Sequence, residues 1–135
     1  MSTVEPGTVL PALSVAFTRA TLVRYAGAST DLNPIHWSER MAHQLGLPTV
    51  IAHGMLTMGT ALRVVTDWCG DPGRVLSYYV RFTTPVTVDD TDEGSTVTFG
   101  GTVTKVENGV ATISIEARFD DIKVLGAATA EVRLD

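Results

Sequence analysis

The chain has 135 residues, 44% hydrophobic and 19% charged, with a formal net charge of −5. That composition can build a core and argues against disorder, and the length suits one compact domain over residues 1–135. An acidic balance without any Lys/Arg run argues against a phosphate-backbone binder, so no nucleic-acid partner is expected.

The one cysteine, Cys69, has no partner for an internal disulfide and fits a reducing compartment. No apolar run approaches the roughly 20 residues of a bilayer span, and the first residues lack a basic-then-apolar leader. A cytoplasmic protein without membrane contact is expected.

In chain order, residues 13–17 form a short strand. Thr18 caps a helix over 19–27 that places Leu22, Tyr25 and Ala26 on one face. A second helix starts at Asn33, a favoured cap, with Pro34 at the first helical position, where its missing N–H costs nothing. Ile35, Met41, Ala42 and Leu45 supply its apolar face, and Gly46 stops it. A third helix runs from Gly54 to just before Gly70. It is apolar almost all round, with Arg63 and Asp67 as exceptions, so burial on every side is expected, and Met55, Met58 and Trp68 read as core. The stretch GDPG at 70–73 turns the chain.

From there the sequence reads as strands over 75–82, 96–107, 110–119 and 122–134, rich in Val, Thr, Ile and Phe. Asn108-Gly109 is a hairpin turn, and Asp120-Asp121 is a second tight turn. Residues 89–93, DDTDE, form a solvated loop. The expectation is an α+β domain: an antiparallel meander curved around a central helix, with open sheet edges suited to a two-fold partner.

The chemistry concentrates in "DLNPIHW", residues 31–37. Asn-Pro before an apolar pattern starts a helix whether or not anything reacts there, and an acid nearby favours the helix dipole. The same spacing also fixes His36 in the first helical turn and leaves Asp31 on the loop just outside, so both side chains can converge. Pro34 restricts Asn33 to extended backbone and stiffens the corner. The helix N-terminus disfavours the imidazolium, and a neutral imidazole beside a carboxylate can position a water and move its protons.

A second element is Ile51-Ala52-His53-Gly54-Met55. If the helix starts at Gly54, its first N–H groups have no partner within it, and the absence of a Cβ lets a ligand oxygen come close. Such donors suit a carbonyl turning into an enolate. Gly54 also reads as a residue that merely permits tight packing. Ala52, His53 and Met55, and Arg81 on its strand, are candidate substrate contacts; His53 reads first as a packed or hydrogen-bonded histidine, and the more cautious reading of Arg81 is structural. There is no G-x-S-x-G, P-loop, G-x-G-x-x-G or C-x-x-C, and His36, His43 and His53 show no metal spacing, so no metal is assigned.

The run from Tyr25 through Asp31, Asn33, Pro34 and His36 to Ala42 resembles the signature of the MaoC-like (R)-specific hydratases and dehydratases. The segments Ile51-Ala52-His53-Gly54-Met55, Val80-Arg81-Phe82 and Pro85-Val86 extend the likeness to most of the chain. Within the family it is most similar to the B-type catalytic subunits of (3R)-hydroxyacyl-ACP dehydratases. The resemblance implies a hot-dog fold, a homodimer or a heterodimer with a related hot-dog subunit, and reversible addition of water across C2–C3 of an acyl thioester. The substrate would ride on CoA or on the phosphopantetheine of acyl carrier protein, with no further cofactor. Asp31 and His36 would be the catalytic pair, the Gly54 N–H the oxyanion donor, and Asn33 and Pro34 their support. Thr30 departs from the family, which often has glycine there. If that glycine takes positive φ, the Asp31 loop is strained here.

Overall fold

The computed structural model describes residues 3–135. The chain runs β1 (Val9–Phe17), α1 (Arg19–Ser29), a 3-10 turn (Pro34–His36), α2 (Glu39–Gln44), α3 (Gly54–Cys69) and a second 3-10 turn (Pro72–Arg74). It continues with β2 (Val75–Phe82), β3 (Ser95–Glu107), β4 (Val110–Phe119), β5 (Ile122–Lys123) and β6 (Leu125–Arg133). The strands form one antiparallel sheet in the order β1-β3-β4-β6-β2, and β5 pairs with the end of β4. α3 packs against β1, β2, β3, β4 and β6.

Alternation builds the core face. Val97, Phe99 and Val103 of β3 point inward, as do Ala111, Ile113, Ile115 and Ala117 of β4, all at 4% exposure or less. They meet Ala61, Val64 and Val65 of α3. Fully burying a valine, isoleucine or phenylalanine side chain contributes roughly 1.5–3 kcal/mol, so the sheet–helix contact is a large part of the stability. Gly101 permits the close approach: a Cβ there would lie 3.2 Å from Val64 Cγ1 and 3.3 Å from Ile113 Cγ2. In β6 the inward set changes phase between Leu125 and Ala128, where Ala127 adopts φ 49°. A residue inserted in that conformation is how a strand re-aims its side chains.

Local signals place their elements closely. Thr18 caps α1 with a reciprocal capping box through Thr21. Asn108 and Gly109 both take positive φ, 53° and 75°, as do Asp120 and Asp121, at 51° and 60°. Those are the left-handed pairs that tight hairpins require. α3 ends at Gly70, φ 75°.

Five expectations fail, the first being the single strand over 122–134, which a bend at Val124 divides into β5 and β6. The sheet is not a simple meander, because β2 pairs with β6 at the far edge rather than with β3. The connection over 83–94 crosses back, buries Val86 and Val88, and pairs with 50–52 through Ala52 N–H to Val86 O and Val88 N–H to Val50 O. The expected helix from Pro34 to Leu45 is broken. Trp37 takes φ −147°, and Ser38 starts α2 by accepting the Met41 N–H. α3 is not buried all round, because one chain's sheet covers one side. Thr57, Ala61, Val64 and Val65 are buried, whereas Met55, Gly59, Arg63 and Asp67 are exposed. Finally, β1 begins at Val9 rather than Leu13, because an irregularity between Leu10 and Leu13 absorbs Pro11.

β2 is an edge strand with Leu76, Tyr79 and Phe82 all more than half exposed. Among the described residues no helix is long and apolar enough to cross a membrane.

A polar hub fixes α1, α2 and the segment that leads to the site. Arg19 donates from Nε to Val88 O and from Nη2 to Glu39 and to Thr49 Oγ1. Thr49 Oγ1 and the Val50 N–H donate to the same Glu39 oxygen. The Thr49 hydroxyl first, then Arg19 and the Val50 amide, hold the Glu39 carboxyl below its usual value of 4.5, against the opposing effect of burial. A carboxyl lowered on folding stabilises the fold above its unfolded value, and that contribution disappears as pH falls through the folded one. Glu39→Gln is therefore expected to flatten the dependence of the urea midpoint on pH below about 4.5 and leave its shape unchanged above. An unaltered acid limb would contradict this.

Candidate active site

The site is assembled where the α1 C-terminus, the first 3-10 turn and the N-terminus of α3 meet. α1 ends on Thr30, φ 60° and ψ 15°. A β-branched residue held left-handed costs on the order of 1 kcal/mol, so the loop carrying Asp31 is strained as the sequence suggested. The Thr30 hydroxyl donates to Ser29 O at 2.6 Å, and the Asp31 N–H is held by Ser29 Oγ at 3.1 Å.

Beyond this point each residue hands the chain to the next. The Asn33 N–H donates to Asp31 Oδ1 at 3.2 Å, and the Ile35 N–H donates to Asn33 Oδ1 at 3.2 Å. Asn33 thus orients the carboxylate through its backbone, while its side chain caps the 3-10 turn. Ile51 N–H donates to Ile35 O at 3.1 Å, and His36 Nδ1 lies 2.7 Å from Ile51 O. A carbonyl oxygen only accepts, so Nδ1 carries a proton and the neutral ring keeps its lone pair on Nε2. The helix dipole expected to act on His36 has little to offer, since the element is one 3-10 turn. The Ile51 carbonyl sets the tautomer instead.

His36 Nε2 lies 3.9 Å from Asp31 Oδ2. That is too long for a direct hydrogen bond, and one water bonded to both atoms can bridge it. His36 is 7% exposed, whereas half of the Asp31 side chain is open.

α3 opens the opposite wall. Its cap, His53, offers no side-chain hydrogen bond to the helix. The His53 carbonyl takes the N–H groups of Leu56 and Thr57. The N–H groups of Gly54 and Met55 find no acceptor among the described residues, as at any uncapped helix start. A Cβ on Gly54 would stand 3.1 Å from the Phe82 ring. Between these walls lies a cavity of about 420 Å³, lined by Ile35, His36, Ala52, Gly54, Thr57 and Phe82, together with 83–86, Val124 and Leu125. Its walls are mostly apolar, which suits an apolar ligand group.

His36, Ala52 and Gly54 line the cavity, and Asp31, which does not line it, reaches His36 from the loop that also carries Asn33 and Pro34. His53 is 1% exposed and lies behind the cavity wall. Met55 is 59% exposed on the outer side of α3 and is not core. Arg81 is exposed and donates to the Tyr79 hydroxyl at 3.2 Å. Neither Met55 nor Arg81 lines the cavity. Thr57, Phe82 and the 83–86 segment line it without having been anticipated. Thr57 could have been found, since it lies one turn beyond Gly54 on the same helix face. The 83–86 segment could not, because its place follows from the long crossover.

Asp31, His36 and His53 place ligand-type atoms within 4.8 Å of one another, a different set from the His36, His43 and His53 spacing weighed in the sequence. The two imidazoles are stacked at 3.7 Å and 22°. Their in-plane lone pairs therefore run in nearly parallel planes and do not converge on one ion.

A curved antiparallel sheet packed on one long helix, with the pair at the helix start, is a hot-dog fold. The MaoC like domain matches residues 2–118, and the chain belongs to that family. It is 42% identical over 76 residues to 3-hydroxyacyl-thioester dehydratase X of Mycobacterium tuberculosis, which covers 56% of this chain and 26% of that protein. It is 31% identical over 122 residues to the (R)-specific enoyl-CoA hydratase of Rhodospirillum rubrum, covering 78% of this chain and 85% of that one. A solved MaoC-like dehydratase superposes with TM-score 0.94 at 40% identity, over 98% of this chain and 41% of its own. A chain of the ChsH1-ChsH2 complex from Mycobacterium tuberculosis superposes with TM-score 0.85 at 28% identity, over the whole of both. The chain thus spans about a quarter of the first of these relatives.

Proposed function

We propose that this chain is the catalytic unit of an (R)-3-hydroxyacyl-thioester dehydratase, working equally as an (R)-specific 2-enoyl-thioester hydratase. The observation that carries the reading is Asp31 Oδ2 lying 3.9 Å from Nε2 of His36, which lines an apolar cavity together with Gly54 at the start of α3.

In hydration, the trans-2-enoyl group lies in the cavity with its thioester oxygen at the Gly54 N–H. Asp31 and His36 hold one water over C3. The water oxygen bonds to C3 as its proton passes to the pair, and the C2=C3 electrons move onto the thioester oxygen as an enolate. The Gly54 N–H and the helix dipole stabilise that charge. The enolate collapses as the pair delivers a proton to C2 on the same face, giving the 3-hydroxyacyl thioester. Dehydration runs the same steps backward. The substrate is carried on CoA or acyl carrier protein, and the mechanism uses no other cofactor and no metal.

The exposed apolar row on β2, Leu76, Tyr79 and Phe82, suits a second hot-dog subunit joined edge to edge. The partner is another copy or a related chain, and the site mouth at Phe82 lies at that edge.

The reading is tested by incubating the chain, alone and with candidate partner subunits, with trans-2-enoyl thioesters of CoA and of acyl carrier protein. Loss of the conjugated ultraviolet absorbance without release of thiol is expected. Thiol release would make the protein a thioesterase, and no change in any combination would make it a binding subunit.

A further inference from the structure

His53 is buried to 1% exposure, does not line the cavity, and plays no part in the mechanism above. Its surroundings are nevertheless specific. Nε2 lies 3.2 Å from the Asp31 carbonyl oxygen. Its ring lies against that of His36 at 3.7 Å between centroids, and the Tyr25 ring meets it edge-on at 4.8 Å. Nδ1 is buried and has no hydrogen-bond partner among the described residues.

These contacts fix the protonation pattern. The Asp31 carbonyl only accepts, so Nε2 carries the proton and Nδ1 is a bare lone pair. A second proton on Nδ1 would have no acceptor and would set a cationic ring face to face with the His36 imidazole. Burial first, and then the neighbouring His36, accordingly push the His53 imidazole below its usual range, so it stays neutral. A buried nitrogen without a partner destabilises the fold. If His53 only filled space, phenylalanine would fill it better, but phenylalanine lacks the N–H that holds Asp31.

We propose that His53 is the positioning residue of the Asp31–His36 pair, its Nε2–H pinning the Asp31 backbone while its neutral ring carries His36 on its face. One side chain thereby sets both members of the pair, whose separation decides whether a single water can bridge them. The inference rests on the hydratase reading above.

Three variants separate the two contacts. His53→Phe keeps a ring under His36 and removes the donor. His53→Gln keeps a donor near the Nε2 position and removes the ring, and His53→Ala removes both. Misplacement of catalytic groups by about 1 Å costs on the order of 100-fold, so His53→Ala is expected to lose about that factor in kcat, with KM within about threefold. His53→Phe should lose about tenfold, and His53→Gln should recover part of the alanine loss. The His36 Nδ1–H resonance should move in His53→Ala and His53→Gln, which remove the ring stacked on His36. If His53→Ala does not fold, the other two decide. Turnover of the folded variants within about twofold of wild type overturns the proposal. If the wild type hydrates no enoyl thioester, the functional reading fails instead. The His36 resonance then decides alone, and an unmoved resonance overturns the role of His53.

Discussion

Asp31→Asn is expected to lower kcat for enoyl-thioester hydration by about 10²–10⁴-fold, the usual contribution of a positioned acid–base group. The substitution is nearly isosteric and isolates chemistry from folding. Half of the Asp31 side chain is open, so its charge is not needed to balance a buried cation. The one hydrogen bond the carboxylate accepts among the described residues comes from the Asn33 N–H, and an amide oxygen can accept it equally well. What is lost is the negative oxygen 3.9 Å from His36 Nε2. His36→Ala should cost a comparable factor, and the double variant little more than either alone, because both act on the same water. Circular dichroism and kcat measured side by side test this. Near-normal turnover by folded Asp31→Asn would remove the pair from the mechanism.

Gly54→Pro should lower kcat by about 10²–10³-fold, the loss seen when an oxyanion donor is removed. Proline deletes the N–H at the first position of a helix, where no intrahelical bond is lost. His53 is already extended, at φ −60° and ψ 131°, which suits the residue before proline. The ring would also bring a Cβ to within 3.1 Å of the Phe82 side chain. Gly54→Ala adds the same Cβ and keeps the N–H, so the difference between the variants reports loss of the donor together with the ring carbons that replace it. Phe82 is 55% exposed and its ring can turn aside, so alanine should cost far less than proline. Equal losses in both would assign the effect to crowding and remove the amide from the mechanism.

The parts of the fold that were legible in the sequence are those set by neighbours in the chain. Thr18 and its capping box, the positive-φ pairs at Asn108-Gly109 and Asp120-Asp121, and Gly54 and Gly70 bounding α3 each act within a few residues. Asp31, Asn33 and His36 were legible for the same reason, since an Asx-type corner and one helical turn bring them together. The position of β2 was not, because nothing in its residues distinguishes pairing with β3 from pairing with β6. With it went the 83–94 crossover and its share of the cavity. The outward aim of Met55 could have been read: with Gly59, Arg63 and Asp67 it makes an i, i+4 stripe that carries both charged residues of α3. The break after His36 also had its signal in Ser38, a good cap three residues ahead of Met41. The stacking of His53 on His36 was beyond local reading, because it depends on the pairing of Ile35 with Ile51.

The most direct test is the stereochemical course of hydration in heavy water with a trans-2-enoyl thioester. A single water gripped from one side predicts that deuterium reaches C2 on the face that receives the hydroxyl, and the (R)-specific reading predicts that this hydroxyl is (3R). A (3S) product would contradict the (R)-specific reading by placing the water over the other face of C3, and deuterium on the face opposite the hydroxyl would mean that Asp31 and His36 do not share one water above the substrate.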